Sequence, residues 1–189
     1  MPTKTSQDLS LYPENLFEAP EAELNGAGER LWWVVYTKSR QEKAFSRQLI
    51  AKQIPHYLPL VKKTYVSCGR KFTAQVPLFP GYVFMFGSEQ ERITSLTTNR
   101  VSRILEVADP GRLRADLEQV NRLIQIGAPL TVEQRLAPGN QVRIRHGAMA
   151  GMEGTVLVRR GKTRLIVAVT MLQQGVSVEV DDFSLERID

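Results

Sequence analysis

From Gly139 to the end of the chain, apolar residues no longer recur at helical spacing; short β-rich runs take over at residues 141–145, 154–159, 164–171 and 176–180. Tight connections that carry glycine separate them, Arg160-Gly161-Lys162 and Gln173-Gln174-Gly175 among them, as hairpin turns require. Residues 139–189 therefore read as a small all-β barrel, for which about fifty residues suffice, with a thin core. Upstream, helical and strand patterns alternate, so the two stretches belong to different domains. Between them, residues 128–138 hold Pro129, Pro138 and only scattered apolar side chains, and read as an extended linker. A chain of 189 residues, 42% of them hydrophobic, has enough apolar material for two small cores.

The first domain spans residues 31–127. Trp32-Trp33-Val34-Val35-Tyr36 is an aromatic and β-branched run of the kind that makes a buried strand. Ser39 and Glu42 have the spacing of a capping box, which predicts a helix from about Arg40 with Phe45 and Leu49 on one face, ending near Ile54 because Pro55 follows. Residues 56–66 and 72–76 read as hairpin strands joined by Ser67-Cys68-Gly69-Arg70-Lys71, and a strand at 82–86 follows Phe79-Pro80-Gly81. Ser88 and Glu91 repeat the capping-box spacing before Ile93 and Leu96; a strand at 102–107 follows. Leu113, Leu117, Val120 and Ile124 then predict a third helix closed by Gly127. The order gives an α+β sandwich, three helices on an antiparallel-rich sheet. Residues 1–30 show no sustained apolar period and include Pro13, Pro20, Gly26 and Gly28, so they read as a disordered acidic tail.

Charge is laid out unevenly. Lys38, Arg40, Lys43, Arg47, Lys52, Lys62, Lys63, Arg70 and Lys71 face Glu42 alone over residues 32–82, a surface suited to a polyanion or simply a solvated basic face. Cys68 is the only cysteine, and with His56 and His146 it makes no zinc-ligand cluster; neither a metal nor a cofactor is expected. Ser39, Cys68, His56 and His146 fall into no nucleophile-and-base pattern, so no enzymatic activity is expected. No apolar run approaches the roughly 20 residues that span a bilayer, and the first ten residues lack the order of a signal peptide, so the expected location is the cytoplasm and no membrane partner is expected. Gly147, Gly151 and Gly154 are not followed by the Lys-Ser or Lys-Thr of a phosphate loop; they read as structural glycines at a barrel corner. Taken alone, Phe79, Tyr82 and Phe84 read as core.

Two stretches resemble a known family. Pro77-Leu78-Phe79-Pro80-Gly81-Tyr82-Val83-Phe84 resembles the FPGY segment of the NusG N-terminal domain, with the Trp-Val-Val-Tyr strand at the right distance before it. Gly139, Val142, Ile144, Gly147, Gly151, Gly154 and Val156 are spaced as in the KOW motif. The resemblance covers residues 31–189 and leans, through residues 77–82, toward specialised RfaH-like paralogues. It implies a transcription elongation and antitermination factor: a NusG N-terminal-like sandwich followed by an SH3-like KOW barrel. It further implies an apolar patch of Tyr36, Phe79, Pro80, Tyr82 and Phe84 that meets the clamp helices of RNA polymerase. Lys38, Arg40 and Lys43 would approach the non-template DNA strand at the transcription bubble. Lys62, Lys63, Arg70 and Lys71 are placed second, a solvated hairpin tip being an equal reading. The barrel would bind Rho or a small-subunit ribosomal protein. The His-and-Thr stretch of the paralogue falls on Glu91-Arg92-Ile93-Thr94, which does not reproduce it, and the Val- and Ile-rich residues 164–180 favour a β-barrel over that paralogue's helical hairpin. The alternative is a ribosome-associated or RNA-binding KOW protein.

Overall fold

The computed structural model describes residues 10–20, 23, 29–136 and 138–188. The chain forms two compact units, residues 1–110 and 111–189. The first contains β1 (Leu11–Tyr12), β2 (Leu31–Thr37), α1 (Glu42–Ala51), β3 (His56–Tyr57), β4 (Leu60–Ser67), β5 (Arg70–Pro77), β6 (Tyr82–Gly87), α2 (Glu89–Leu96) and β7 (Val101–Glu106).

β2 owes its central place to the run that predicted it: side chains that are apolar on both faces need cover on both faces. It pairs antiparallel with β6 on one side and β7 on the other, in a five-stranded sheet of order β1-β3-β6-β2-β7. On one face Val35, Val83 and Met85 pack with Phe45 and Leu49 of α1 and with Ile54, Leu58 and Leu60. Full burial of an aromatic or leucine side chain contributes about 1.5–3 kcal/mol each, so this cluster anchors the helix. On the other face Trp32, Val34 and Tyr36 stand opposite Phe86, Phe84 and Tyr82.

Part of the N-terminal stretch is ordered on that second face, contrary to its reading as a disordered tail. β1 pairs with β3, Leu11 opposite Tyr57 and Tyr12 opposite His56. Leu16, Phe17 and Ala19 are buried; the Phe17 ring stacks on Trp32 with centroids 6.2 Å apart and meets Tyr57 edge-on at 5.1 Å. An open sheet edge and an uncovered aromatic face supply the partners that the segment lacks on its own. Residues 1–9, 21–22 and 24–28 of the expected tail lie outside the described residues.

The two capping boxes part company. Ser88 and Glu91 form one, with both reciprocal hydrogen bonds, and Arg30 donates two further bonds to the same glutamate. Ser39 and Glu42 do not: α1 begins at Glu42 after Gln41, with no side-chain cap, because the Glu42 carboxylate accepts the Gly81 N–H instead. The expected strand 56–66 is broken at Leu58 and Pro59 into β3 and β4, and β4 and β5 pair as a two-stranded hairpin separate from the main sheet.

The second unit takes α3 (Pro110–Ile126), β8 (Thr131–Glu133), β9 (Asn140–Ile144), β10 (Glu153–Arg159), β11 (Lys162–Val169), β12 (Gln174–Glu179) and β13 (Leu185–Arg187). In this division into compact units the third helix goes with the β-rich unit. Its polar side chains tie it there: Asp116 accepts the Thr170 N–H at 2.9 Å, Gln119 accepts the Glu153 N–H at 2.8 Å, and Arg122 donates to the Ala148 carbonyl at 3.1 Å. The expected linker also contains structure, since β8 pairs with β12 and the buried Glu133 accepts from Ser177 at 2.6 Å and from Arg159. The sheet runs β13-β9-β10-β11-β12-β8, antiparallel throughout. Among the described residues the strands expected of the barrel pair as one six-stranded sheet from β13 to β8, with no ladder between the two end strands. Val142, Ile144, Leu165, Val167, Val169, Val176 and Val178 are among its buried residues.

Candidate protein and nucleic-acid interface

Tyr36 ends the apolar run of β2, and its neighbours come from three strands. Across the sheet it stands opposite Tyr82 of β6 on one side and Arg103 of β7 on the other. The two tyrosine rings are 5.1 Å apart at 59°, and the Arg103 guanidinium carbon lies 5.2 Å from the Tyr36 ring centroid. Both tyrosines are half-buried, whereas Arg103 and Pro80 are exposed. The result is an aromatic row with a cation over one end, the composition of surfaces that bind proteins through a few anchoring side chains.

Gly81 fixes this row. Its φ of +88° is readily open only to glycine, its N–H donates to Glu42 at 2.7 Å, and its carbonyl accepts the Thr37 N–H at 2.8 Å. The ends of β2, α1 and β6 are thereby tied together at one residue. Phe79 and Phe84, placed on the patch by resemblance, are instead buried: they meet edge-on at 6.5 Å, and Phe84 lies 6.5 Å from Tyr57. Strand alternation puts Phe84 and Tyr82 on one face, but only Tyr82 lies at the strand end, where cover runs out. The expected patch therefore divides into a surface part, Tyr36, Pro80 and Tyr82, and a supporting core part. Arg103 is not singled out by the sequence, and Gly81 and Glu42 stand out there only as a turn residue of the FPGY segment and a capping-box residue; the pairing of β7 with β2 and the turn before β6 bring the three to the tyrosine row.

The basic residues fall into two groups. Lys38 and Arg40 are exposed and Lys43 half-buried, in the connection from β2 into α1. Lys38 donates to Asn99 at 2.7 Å, and Arg100 donates to Gln41 beside it. Lys62, Lys63, Arg70 and Lys71 are exposed on the β4–β5 hairpin.

His56 is not a proton carrier at a surface. It is buried, its Nδ1–H donates to the Ile54 carbonyl at 3.0 Å, and its Nε2 accepts from the Ser46 hydroxyl at 2.6 Å. Burial pushes its pKa down to about 4, against a smaller upward pull from the Ile54 bond, so the ring is neutral. Burial likewise pushes the Tyr57 phenol upward. In the second unit, Gly147 and Gly151 have φ of +85° and +83° in the β9–β10 connection, and a Cβ on Gly154 would lie 2.2 Å from the Ile166 carbonyl oxygen. Two of these glycines supply a backbone turn and the third a close approach of strands. Among the described residues no group of His, Cys, Asp and Glu could hold a metal ion, and no helix is long and apolar enough to cross a membrane.

A small antiparallel sheet carrying a half-exposed aromatic row beside basic side chains, joined to a glycine-cornered β-unit, defines a protein that works by binding macromolecules. The family model described as transcription termination factor nusG matches residues 30–135, more than half of the chain. The chain belongs to the NusG family of transcription termination and antitermination factors. It is similar to the transcription termination/antitermination protein NusG of Staphylococcus aureus strains Mu50 and N315, at 27% identity over 177 residues, covering 85% of this chain and 97% of each relative. A solved structure described as the MjSpt4:Spt5 complex, conformation B, covers 84% of this chain and 97% of its own at 15% identity, with a TM-score of 0.24, too low to carry a conclusion.

Proposed function

We propose that the first unit docks on the clamp of RNA polymerase through Tyr36, Tyr82 and Pro80, and that the basic edge of Lys38, Arg40 and Lys43 lies along the non-template DNA strand. The observation that carries this reading is the aromatic row: Tyr36 and Tyr82 are locked against each other by Gly81, yet remain half-exposed. An apolar anchor already held in place loses little side-chain freedom on binding. The lysines and arginine add charge attraction to phosphate that tolerates any sequence and weakens with salt. Phe79 and Phe84 act from beneath as the packing on which the row rests.

The factor then works by differential affinity. If it binds the closed clamp more tightly than the open one, it shifts that equilibrium by the difference, tenfold for every ~1.4 kcal/mol. Pausing falls, and the chemistry stays with the polymerase. The second unit is the one through which a further protein, Rho or a small-subunit ribosomal protein, is engaged. The test is the lifetime of a defined pause on a bacterial template transcribed in vitro. The full chain should shorten it, the Tyr36→Ala, Tyr82→Ala chain should not, and equal effects of the two would overturn the assignment.

A further inference from the structure

We infer that one face of the β4–β5 hairpin is a stacking platform for an unpaired DNA strand, with Tyr65 and Phe72 taking a base and Lys63 and Arg70 the phosphates beside it. The inference rests on the reading above that the first unit lies against opened DNA, and it assigns four residues that the reading leaves unused.

Register places the four side chains together. Tyr65 pairs with Phe72, Lys63 with Ala74 and Ser67 with Arg70, and cross-strand partners share a face, as do residues two apart along a strand. Lys63 and Arg70 therefore flank the aromatic pair at its two ends on the same face. Lys62, Thr64, Val66, Lys71, Thr73 and Gln75 belong to the other, where the Thr64 and Thr73 hydroxyls bond to each other at 3.2 Å. Tyr65 keeps 39% and Phe72 50% of its surface in water, although β4 and β5 pair with no other strand among the described residues. Aromatic side chains of that size contribute to a fold by burial, and these two contribute little of it.

Charge selects the occupant. Residues 60–77 contain four basic side chains and no aspartate or glutamate, so the hairpin is a poor dock for a basic protein face and a good one for a polyanion. An exposed aromatic pair between cations meets the two chemical demands of an unpaired strand: a π surface for the base and charge for the backbone. A duplex offers only the second use, because its base faces are already stacked.

The test is fluorescence anisotropy of the full chain with a fluorescein-labelled single-stranded DNA of mixed sequence, across a salt series, beside duplex DNA and single-stranded RNA of the same sequence. Tyr65→Ala, Phe72→Ala should weaken single-strand binding by about five-fold or more with an unchanged slope of log affinity against log salt. Lys63→Ala, Arg70→Ala should lower that slope by about 1.4, two charges at roughly 0.7 each. Tyr65→Trp, Phe72→Trp should restore binding, which separates stacking from loss of fold. Unchanged affinity in the alanine pair, equal binding of the duplex, or tighter binding of RNA each overturns the inference. If Lys38→Ala, Arg40→Ala, Lys43→Ala alone abolishes binding, the hairpin inference falls and the broader reading stands; if no variant changes it, both fall.

Discussion

A Cβ on Gly81 would stand 2.7 Å from Cε2 of Tyr36: the tyrosine ring occupies the space that any other side chain at Gly81 would need. Because Gly81 also has a φ of +88°, Gly81→Ala meets two separate penalties. The left-handed backbone costs about 1 kcal/mol for an L side chain, and the overlap pushes Tyr36 away from Tyr82. The variant should lose about 2 kcal/mol in urea unfolding and bind polymerase less tightly than that loss alone explains. Full affinity in a destabilised variant would show that the tyrosine row is not the anchor.

The pH dependence of stability follows from His56. In the unfolded chain its ring takes up a proton near 6.5, whereas in the folded protein it does so only at about 4. Between those values the unfolded state holds more protons, so stability is full above pH 6.5 and falls as the pH is lowered toward 4. The total is about 3 kcal/mol from this group. Urea midpoints measured from pH 7 to pH 4.5 should fall, and His56→Gln should flatten the part of the curve that His56 causes; an identical slope in that variant would remove the assignment.

Tyr57 presents a buried hydroxyl that has no hydrogen-bond partner among the described residues. Such a group has been taken out of water without compensation, a cost of about 1–3 kcal/mol. Tyr57→Phe should therefore be neutral or stabilising in a thermal melt, and a clear loss of stability would mean that the hydroxyl is satisfied in solution.

Phe17 tests the N-terminal segment in the opposite sense. Packed against Trp32 and Tyr57, it should cost about 3 kcal/mol when replaced by alanine, whereas Glu18→Ala, exposed beside it, should cost next to nothing. Equal stability of the two variants would mean that residues 10–20 do not pack as described.

What was legible in the sequence was whatever is decided locally. The α+β class, the Ser88–Glu91 box and the strand that carries Trp32 to Tyr36 follow from spacing within a few residues, and the structure has them. Three of the differences share one cause, a partner distant in the chain. Glu42 has the right spacing for a cap, but a backbone N–H from Gly81 takes its carboxylate. Leu11, Leu16 and Phe17 are too few to show a period, yet β3 and Trp32 order them. Phe79 and Phe84 read as site residues by resemblance and as core by chemistry, and both are buried. Thr131–Glu133 looked like linker because its pairing partner, β12, comes some forty residues later.

The affinity of the full chain for a reconstituted bacterial RNA polymerase elongation complex, with and without Tyr36→Ala, Tyr82→Ala, probes the proposed docking directly. Loss of two anchoring aromatics should weaken binding by about tenfold or more, with the melting curve little changed. Undiminished affinity in a folded double variant would contradict docking through this row.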